Sequence, residues 1–484
     1  MPRAPLSVLL IVAMAMWLAS RLPNSDGGVP AHQALDGGPS GEASFRAIYK
    51  ELVEINTTES SGDTLKAARA MEGRLLAGGL PKADVQVLST APRKGNLVVR
   101  FRGTGVQKPM LLAAHIDVVE ARREDWELDP FVLQEVGGYF RGRGVLDNKA
   151  MAAIFVDMLI RMKREGWRPA RDIILALTSD EELAASPHNG MRFLIERHRA
   201  LVDAEFAINE GGSGVLRDGK PVRLNLQLAE KVYLSFRLEV KDAGGHSATP
   251  RRENAIYRLA EGLVRLSKLE FPPRLNAVTS AYFARAATLE PPEVQAAIKA
   301  LEAGNIQPEA LAKLSARPNY NALVRTTCVA TMLEAGHAEN ALPQSARATV
   351  NCRLLPDERA DAVEAAVKNA LADERIKVSP LGMTVESPAS PLSPAVLESV
   401  EQISALMWPG VPVIPTQSSG YTDSRWLRRA GIPTYGISGI FSEEGKSGVH
   451  GLNEQVGVSE LLAGREFLDR LVRRLAGPTS QITP

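Results

Sequence analysis

Five residues of metal-binding type lie far apart along this sequence, and four of them follow or open predicted strands and helices. They are two histidines and three acids: His115, Asp147, Glu182, Glu210 and His450. Imidazole nitrogens and carboxylate oxygens suit zinc, and a carboxylate can bridge two metal ions about 3.5–4 Å apart. We therefore predict a pair of metal ions, with His115 and Glu210 on one, Glu182 and His450 on the other, and Asp147 shared.

Such a pair of ions would lower the pKa of water to about 7 and so provide a nucleophile for hydrolysis of an amide. Glu181 directly precedes a predicted ligand, and because neighbours on a regular strand face opposite ways, the pair needs an irregular turn. Free of the metal, Glu181 is predicted to act as the general base that carries a proton to the leaving nitrogen. Asp117, two residues after His115, is predicted to orient that imidazole.

Each of these signals has an ordinary alternative. An aspartate just ahead of an apolar-periodic helix, such as Asp147, is typical of an N-cap. A histidine at a strand end is often a satisfied polar residue, and a Glu-Glu pair often faces solvent. Their joint occurrence at strand ends favours a site, because ligands of open α/β sheets bind beyond the carboxyl ends of the strands. No phosphate-binding loop and no HExxH motif competes with it.

Two patterns of elements follow each other along the chain. Apolar runs at 110–119, 172–177 and 204–208 alternate with helical patterns, which predicts an α/β fold with a mostly parallel sheet and helices on both faces. From residue 231 the order becomes β-α-β-β-α-β with alternating strands, which predicts an inserted ferredoxin-like α+β domain for lid or dimerisation roles. The extra residues 272–321 are interpreted as an embellishment of that inserted domain.

The predicted organisation has five segments. They are a signal peptide or N-terminal anchor (1–22), a linker (23–41), the first part of a discontinuous catalytic domain (42–229), the inserted lid/dimerisation domain (230–385) and the second catalytic part (386–477). A positive charge at Arg3 precedes an apolar run that is shorter than the ~20 residues of a membrane span. Export to the periplasm or the extracellular space is therefore expected, with an uncleaved membrane anchor as the alternative.

Composition limits the partners. The 484 residues carry a net charge of +1 and no basic stripe, so nucleic acid is not expected as a partner and small molecules fit better. The two cysteines, Cys328 and Cys352, lie on predicted strands that flank a turn. A disulfide between them and a pair of buried free thiols both remain open.

Seven short segments together resemble the co-catalytic zinc metallopeptidases of aminoacylase-1, carboxypeptidase G and succinyl-diaminopimelate desuccinylase. The segments are His115-Ile-Asp117, Gly144-Val-Leu-Asp147-Asn-Lys149, Asp180-Glu-Glu182, Asn209-Glu210-Gly-Gly212, Gly244-Gly-His246-Ser, Asn340-Ala-Leu-Pro343 and His450. The resemblance covers nearly the whole chain after residue 43. Residues 321–336 look more like the branch of Gly-Xaa carboxypeptidase (carboxypeptidase S) and N-fatty-acyl-amino-acid hydrolase. One departure is Asn148, where the family usually has a second aspartate.

The resemblance implies roles for four further residues. His246 would reach an active site, often that of a dimer partner, and stabilise the oxyanion. Asn340, Arg353 and Gly420 would bind the carboxylate end of the substrate, and a planar guanidinium does fit a carboxylate. Two zinc ions per chain are implied, with cobalt or manganese as alternatives.

The predicted function is zinc-dependent hydrolysis of an amide bond next to a free carboxylate, in a small peptide or an N-acyl amino acid. This is the reaction of metallocarboxypeptidases, dipeptidases and aminoacylases. Two alternatives remain open: a narrow deacylase for N-acetyl or N-succinyl amino acids, and a catalytically silent binding protein of the same fold. Whether the chain forms a homodimer stays open at the level of the sequence.

Overall fold

The computed structural model describes residues 39–183, 186–287 and 290–478. The predicted signal peptide or anchor and nearly all of the linker lie outside the described residues. The described residues from 45 onward form one compact unit, and the fold described below is that of this unit. In the described part of the chain, no helix has the length and apolar character needed to cross a membrane.

Helices occur along the whole described chain. Two short 3-10 helices lie at Lys82–Asp84 and Arg123–Asp125. The apolar-periodic helix predicted after Asp147 is present as α3. In chain order the α-helices are α1 (Pro39–Glu54), α2 (Thr64–Ala77), α3 (Lys149–Arg164), α4 (Gly190–Arg197), α5 (Arg199–Val202), α6 (Ala255–Leu266), α7 (Ala277–Ala286), α8 (Pro292–Glu302), α9 (Pro308–Ser315), α10 (Pro318–Val324), α11 (Ala360–Leu371), α12 (Pro394–Met407), α13 (Ser424–Arg429) and α14 (Val458–Ala476).

The strands divide between two large sheets and two small ones. In chain order they are β1 (Val85–Ala91), β2 (Lys94–Phe101), β3 (Gln107–His115), β4 (Gln134–Val136), β5 (Tyr139–Arg141), β6 (Arg171–Thr178), β7 (Phe206–Asn209), β8 (Gly214–Arg217), β9 (Lys220–Glu230), β10 (Val232–Lys241), β11 (Gly245–His246), β12 (Thr327–Ala335), β13 (Ala341–Leu342), β14 (Ser345–Leu354), β15 (Lys377–Leu381), β16 (Val413–Ser418), β17 (Thr434–Gly436), β18 (Phe441–Glu443) and β19 (Gln455–Gly457).

The larger sheet has the order β1-β2-β6-β3-β7-β17-β9-β8-β18, and β16 pairs with β9. Its centre, β6-β3-β7-β17, is parallel, whereas β1 and β2 are antiparallel additions at one end. Side chains of β3 alternate between two apolar cores. Leu112 lies in one with residues of α3 and α14, and Leu111 in the other with residues of α4 and α13. The predicted α/β class, with helices on both faces of a mostly parallel sheet, is confirmed.

The smaller sheet has the order β12-β14-β10-β15, with every pair antiparallel. Its elements follow one another as β10, α6, β12, β14, α11 and β15, which is the predicted ferredoxin-like order. Helices α6 and α11 share an apolar core with β10 and β14. The edge strand β12 is exposed along most of its length, and its residues Val329, Met332 and Leu333 are 60%, 69% and 68% exposed.

The helices α7 to α10 fall mostly in the segment interpreted as an embellishment of the inserted domain. They enclose a small apolar core of their own, but Val278 of α7 is buried in the main core of the larger sheet. Arg285 pairs with Glu401 and donates to the backbone oxygen of Val413 at 2.8 Å. Helix α7 therefore packs against β16. Among the described strands, β16 pairs only with β9. An amphipathic pattern alone does not say which sheet a helix will cover.

The sequence analysis missed β8, β9 and β16. A two-residue turn joins β8 to β9, with Asp218 and Gly219 at φ 52° and 73°. Left-handed conformations at both central residues are typical of tight hairpins, and Asp-Gly is a favoured pair for them. Strand β16 contains Pro415, which argues against a central strand from sequence alone.

A disulfide joins Cys328 of β12 to Cys352 of β14, which are direct partners in the strand register. It ties the exposed edge strand to the centre of the smaller sheet. By closing a loop of 24 residues, such a bond stabilises a fold by about 3 kcal/mol. Replacing Cys328 by serine and Cys352 by alanine is expected to lower the free energy of unfolding by that amount, measured by urea denaturation. An unchanged midpoint in the double variant, relative to the oxidised protein, would contradict this contribution.

Candidate metal centre

The first group of candidate ligands gathers where β3 and β7 end side by side. His115 is the last residue of β3, and Glu210 directly follows β7. Nε2 of His115 lies 3.0 Å from Oδ1 of Asp147 and 3.3 Å from Oε2 of Glu210. Because the two strands are parallel neighbours, their carboxyl ends bring these side chains to one edge of the sheet.

The second group uses the other oxygen of the same aspartate. Nε2 of His450 lies 3.1 Å from Oδ2 of Asp147 and 2.9 Å from Oε2 of Glu182. In each group the candidate ligand atoms all lie within 4.8 Å of one another. Asp147 thus offers Oδ1 to one group and Oδ2 to the other, as a bridging carboxylate does. The structure brings the predicted residues together in the two predicted sets, and their role as ligands stays a prediction.

Asp147 is not a helix cap. The N-cap of α3 is Asn148, whose side chain makes no capping hydrogen bond, and the Asp147-Asn148 peptide bond is cis. Both carboxylate oxygens of Asp147 instead face the two histidines. The donor set of two imidazoles and three carboxylates in adjoining clusters fits a pair of zinc-type ions.

The loop that carries Asp147 is held by Glu454, which lies four residues after His450 and is fully buried. Its carboxylate accepts hydrogen bonds from the backbone of Gly144 and Leu146 at 2.8 Å and of Asp147 at 3.0 Å. It also accepts one from Arg143 at 2.8 Å. The two loops that carry Asp147 and His450 are therefore fastened to each other. Sequence analysis missed Glu454, since a glutamate in a loop has no diagnostic spacing.

The turn after β6 separates Glu181 from Glu182, as their predicted roles require. Asp180 adopts a left-handed conformation at φ 59°, which breaks the strand. The carboxylate of Asp117 accepts the backbone N–H groups of Glu181 at 3.2 Å and Glu182 at 3.1 Å. Nδ1 of His115 lies 3.0 Å from the backbone oxygen of Asp117 and 3.7 Å from its carboxylate. Asp117 therefore contacts the imidazole through its carbonyl, while its carboxylate positions the turn.

Glu181 is a buried carboxyl group without a hydrogen-bond partner for Oε1 in the described residues. Burial raises its pKa well above the usual range. Burial also raises the pKa of Glu210 to about 7 and raises that of Glu182. These acids lie in a site where a charge is costly unless it is paired, so a bound cation would stabilise them.

The two histidines hold protons in the absence of a cation. Hydrogen bonds to Asp147 and Glu182 raise the pKa of His450 to about 10. Burial opposes protonation of His115, yet the charge of Glu210 and contacts with Asp117 and Asp147 raise its pKa well above the usual value. Because metal ligands must be deprotonated, binding of a metal would release these protons and would tighten as the pH rises.

The other predicted site residues lie in two separate places. Arg353 of β14 donates to the backbone oxygen of Ser419 at 3.4 Å, directly beside Gly420. Asn340 lies beside the strand of His246, where its backbone oxygen accepts from Ser247 at 3.1 Å. The His246 side chain is exposed, and within the described chain it has no hydrogen bond or ion pair with either group of candidate ligands.

The fold and the paired groups define a metal-dependent hydrolase of amide bonds. The chain matches the model of peptidase family M20/M25/M40 over residues 111–474, and it belongs to this family.

Two relatives are similar to this chain in sequence, and one solved structure is similar to it in fold. The N-fatty-acyl-amino acid synthase/hydrolase of Xenopus tropicalis is 31% identical over 384 residues, 78% of this chain and 74% of the relative. The probable carboxypeptidase S-like 2 of Dictyostelium discoideum is 27% identical and covers 78% of this chain and 74% of its own. The M20 family metallo-carboxypeptidase Sso-CP2 of Sulfolobus solfataricus shares the fold, with a TM-score of 0.67, 17% identity and coverage of 90% and 99%. The family resemblance and its branch are confirmed.

Proposed function

We propose that this protein uses two zinc ions to hydrolyse the amide bond of a small peptide or an N-acyl amino acid, next to a free carboxylate. The observation that carries the proposal is the shared Asp147 between two ligand groups, beside the unpartnered and buried Glu181. The names of the relatives, an N-fatty-acyl-amino acid hydrolase and a carboxypeptidase, support this range of substrates.

Each residue of the centre has a role in this proposal. His115, Asp147 and Glu210 would hold one ion, and Asp147, Glu182 and His450 the other. When bound, the ions supply a Lewis acid for the substrate carbonyl and lower the pKa of the attacking water. Glu181 accepts the proton of that water and passes it to the leaving nitrogen. The backbone and carboxylate of Asp117 keep His115 and the Glu181 turn in place.

Substrate binding would fall to residues outside the two ligand groups. Arg353, together with Gly420 and Asn340, would hold the free carboxylate, for which a guanidinium provides paired donors. His246 would stabilise the oxyanion of the substrate in the site of a second copy of the chain. Its exposure and its lack of contact with the ligand groups of its own chain support this arrangement.

The exposed edge strand β12 supports a homodimer. The outer edge of its backbone, which pairs with no strand of the described residues, and its apolar residues Val329, Met332 and Leu333 offer a surface on which a second copy can pair. The disulfide that fixes β12 also supports export, because such bonds persist in oxidising compartments. Export is tested by recovering the protein from the periplasm or the growth medium of the cells that express it and sequencing its N-terminus.

The composite site is tested by mixing two inactive variants. His246→Ala and Glu181→Gln proteins are each expected to be inactive as homodimers, since one lacks the oxyanion donor and the other the base. After subunit exchange, half of the dimers are mixed and each holds one complete site, so about a quarter of the wild-type activity should return. No recovery, although mixed dimers are seen by native mass spectrometry, would contradict a site shared between two chains.

The function itself is tested on the purified protein with dipeptides and N-acyl amino acids of graded chain length. We expect about two metal ions per chain, loss of turnover after chelation and its return on adding zinc. Cobalt and manganese should be compared with zinc in the same assay. Turnover restricted to N-acetyl or N-succinyl amino acids would point to a narrow deacylase. A full complement of metal without turnover on any substrate would overturn the proposed hydrolysis.

A further inference from the structure

A cluster of two arginines and two tyrosines lies where the smaller sheet meets the segment after β16. Tyr233 of β10 and Arg353 of β14 are direct partners in the strand register, and the guanidinium carbon of Arg353 lies 4.7 Å from the centre of the Tyr233 ring. Tyr421 and Arg425 lie in the segment that follows β16 of the larger sheet. The Tyr421 ring has Arg425 at 4.0 Å and Arg353 at 5.7 Å. One ring thus links two guanidinium groups from distant parts of the chain.

Neither guanidinium has a carboxylate partner among the described residues. Arg353 makes only two long hydrogen bonds, to Ser419 and to Asn351, at 3.4 and 3.3 Å. Arg425 is 6% exposed, and within the part of the chain that the structure describes its side chain makes no hydrogen bond and its buried Nε has no partner. The Arg425 guanidinium instead stacks on the rings of Tyr421 and Trp426, the latter at 5.3 Å, and these cation–π contacts stabilise its charge.

Other buried arginines of the chain are paired with acids. Arg143 pairs with Glu454 at 2.8 Å, and Arg428, three residues after Arg425, pairs with Glu230 at 3.4 Å. A buried cation without a counterion costs stability. Arg425 is such a cation, and the half-buried Arg353 beside it adds a second positive charge that an anion would also neutralise.

The cluster borders the metal centre. Burial and the negative charge of Glu181 raise the pKa of Tyr421 to about 12. Burial and, more weakly, the like charge of Arg425 lower the pKa of Arg353. Thr422, the neighbour of Tyr421, accepts a hydrogen bond from the side chain of Asn209 at 3.3 Å, and Asn209 directly precedes Glu210. The Tyr421 ring therefore lies near the metal centre as well as beside the two cations. A substrate with its amide at the metal centre and its carboxylate at Arg353 would approach this ring.

We propose that Arg425 is a specificity-determining residue that acts through Tyr421 to strengthen the carboxylate site at Arg353. The inference rests on the proposed function of that site and adds to it a second, buried positive charge. Arg425 stacks on the Tyr421 ring and so positions it. It also places a positive charge that has no carboxylate partner near the site. Together these select substrates that end in a free carboxylate over those that end in an uncharged amide.

The test compares each substrate with its carboxamide analogue. Arg425→Gln is expected to raise the KM for the carboxylate substrate about tenfold, as loss of one charge at the edge of a protein site does, with kcat little changed. Hydrolysis of the carboxamide should be unaffected. Arg425→Lys keeps the charge and should restore most of the preference. An equal loss on both substrates would overturn the inference and indicate a structural role.

Stability provides a second readout. Because Arg425 is a buried charge without a counterion, Arg425→Gln is expected to leave the Tm unchanged or raise it. Arg192→Gln is the matched control: Arg192 also lies over Trp426, at 5.6 Å, but it is paired with Glu196 and does not contact Tyr421. The control should not change the KM of either substrate. A lowered Tm of Arg425→Gln together with a lowered kcat would contradict the proposal.

Binding separates this inference from the proposed hydrolysis. In the Glu181→Gln background, titration calorimetry with the N-acyl amino acid and with its carboxamide measures recognition without turnover. The carboxylate ligand should bind about tenfold more weakly once Arg425 is also replaced by glutamine. If the wild-type protein hydrolyses nothing but this difference in binding is found, the proposed function fails and the carboxylate site stands. If hydrolysis is found but the difference is not, the role of Arg425 fails alone.

Discussion

Glu181→Gln is expected to lower kcat by at least about a hundredfold while the protein keeps its metal, because general-base catalysis contributes 10²–10⁴-fold in enzymes. Glutamine has nearly the same shape, and the turn does not depend on the lost charge. The backbone N–H groups of Glu181 and Glu182 remain bound by the carboxylate of Asp117. Oε1 of Glu181 has no partner in the described residues, so no structural hydrogen bond is lost there.

The measurement is metal content by mass spectrometry beside steady-state kinetics on the same sample. Glu196→Gln is a matched control, because Glu196 is an exposed glutamate of α4 that pairs with Arg192. It should retain full turnover. A Glu181→Gln protein with wild-type kcat would exclude Glu181 as the base, and one that loses its metal would make it a ligand.

Asp147→Ala is expected to remove both metal ions, whereas loss of an outer ligand should remove one. Asp147 alone offers an oxygen to each group, and the histidines hold its pKa well below the usual range although burial acts to raise it. Glu210→Gln and Glu182→Gln each affect one group only and are the matched comparisons. Since bound metal stabilises the folded state by mass action, the rise in Tm on adding zinc should vanish in Asp147→Ala.

Metal stoichiometry and the zinc-dependent shift in Tm are both measured without reference to activity. Asp147→Ala itself is expected to fold, because Glu454 binds the backbone of that loop and not the Asp147 side chain. Two ions per chain in Asp147→Ala would contradict a bridging carboxylate. One ion would show that a single group suffices to hold metal without it.

The candidate site was predictable where chemistry coincides with regular structure. His115 and Glu210 follow apolar strands, and parallel strands must end at one edge of their sheet, so their meeting could be inferred from spacing. The helix after Asp147 was predicted because its apolar period is unbroken. The Glu181 turn was expected, since two neighbouring residues with different roles cannot lie on one regular strand.

The rest depends on contacts that spacing does not encode. Glu454 accepts a hydrogen bond from the backbone N–H of Asp147, 307 residues away in the sequence, and no local pattern predicts such a contact. Arg425 reads as an ordinary surface charge on a short helix until the structure buries it against Tyr421. The docking of α7 on β16 likewise follows from which apolar surface is left uncovered once the sheet has formed. Spacing also did not show that Asp117 has two roles, in which its backbone oxygen contacts His115 and its carboxylate binds the Glu181 turn.

The position of β17 has a consequence for how the protein is made. This strand of residues Thr434–Gly436 lies between β7 and β9, although it is synthesised more than two hundred residues after β7. A growing chain that has passed β9 still has β7 with an open edge at the middle of its main sheet, and open edges of this kind invite aggregation. The ribosome must deliver the last segments before the sheet can close. A chain that stops before residue 434 is therefore expected to be insoluble, even though it contains the whole smaller sheet.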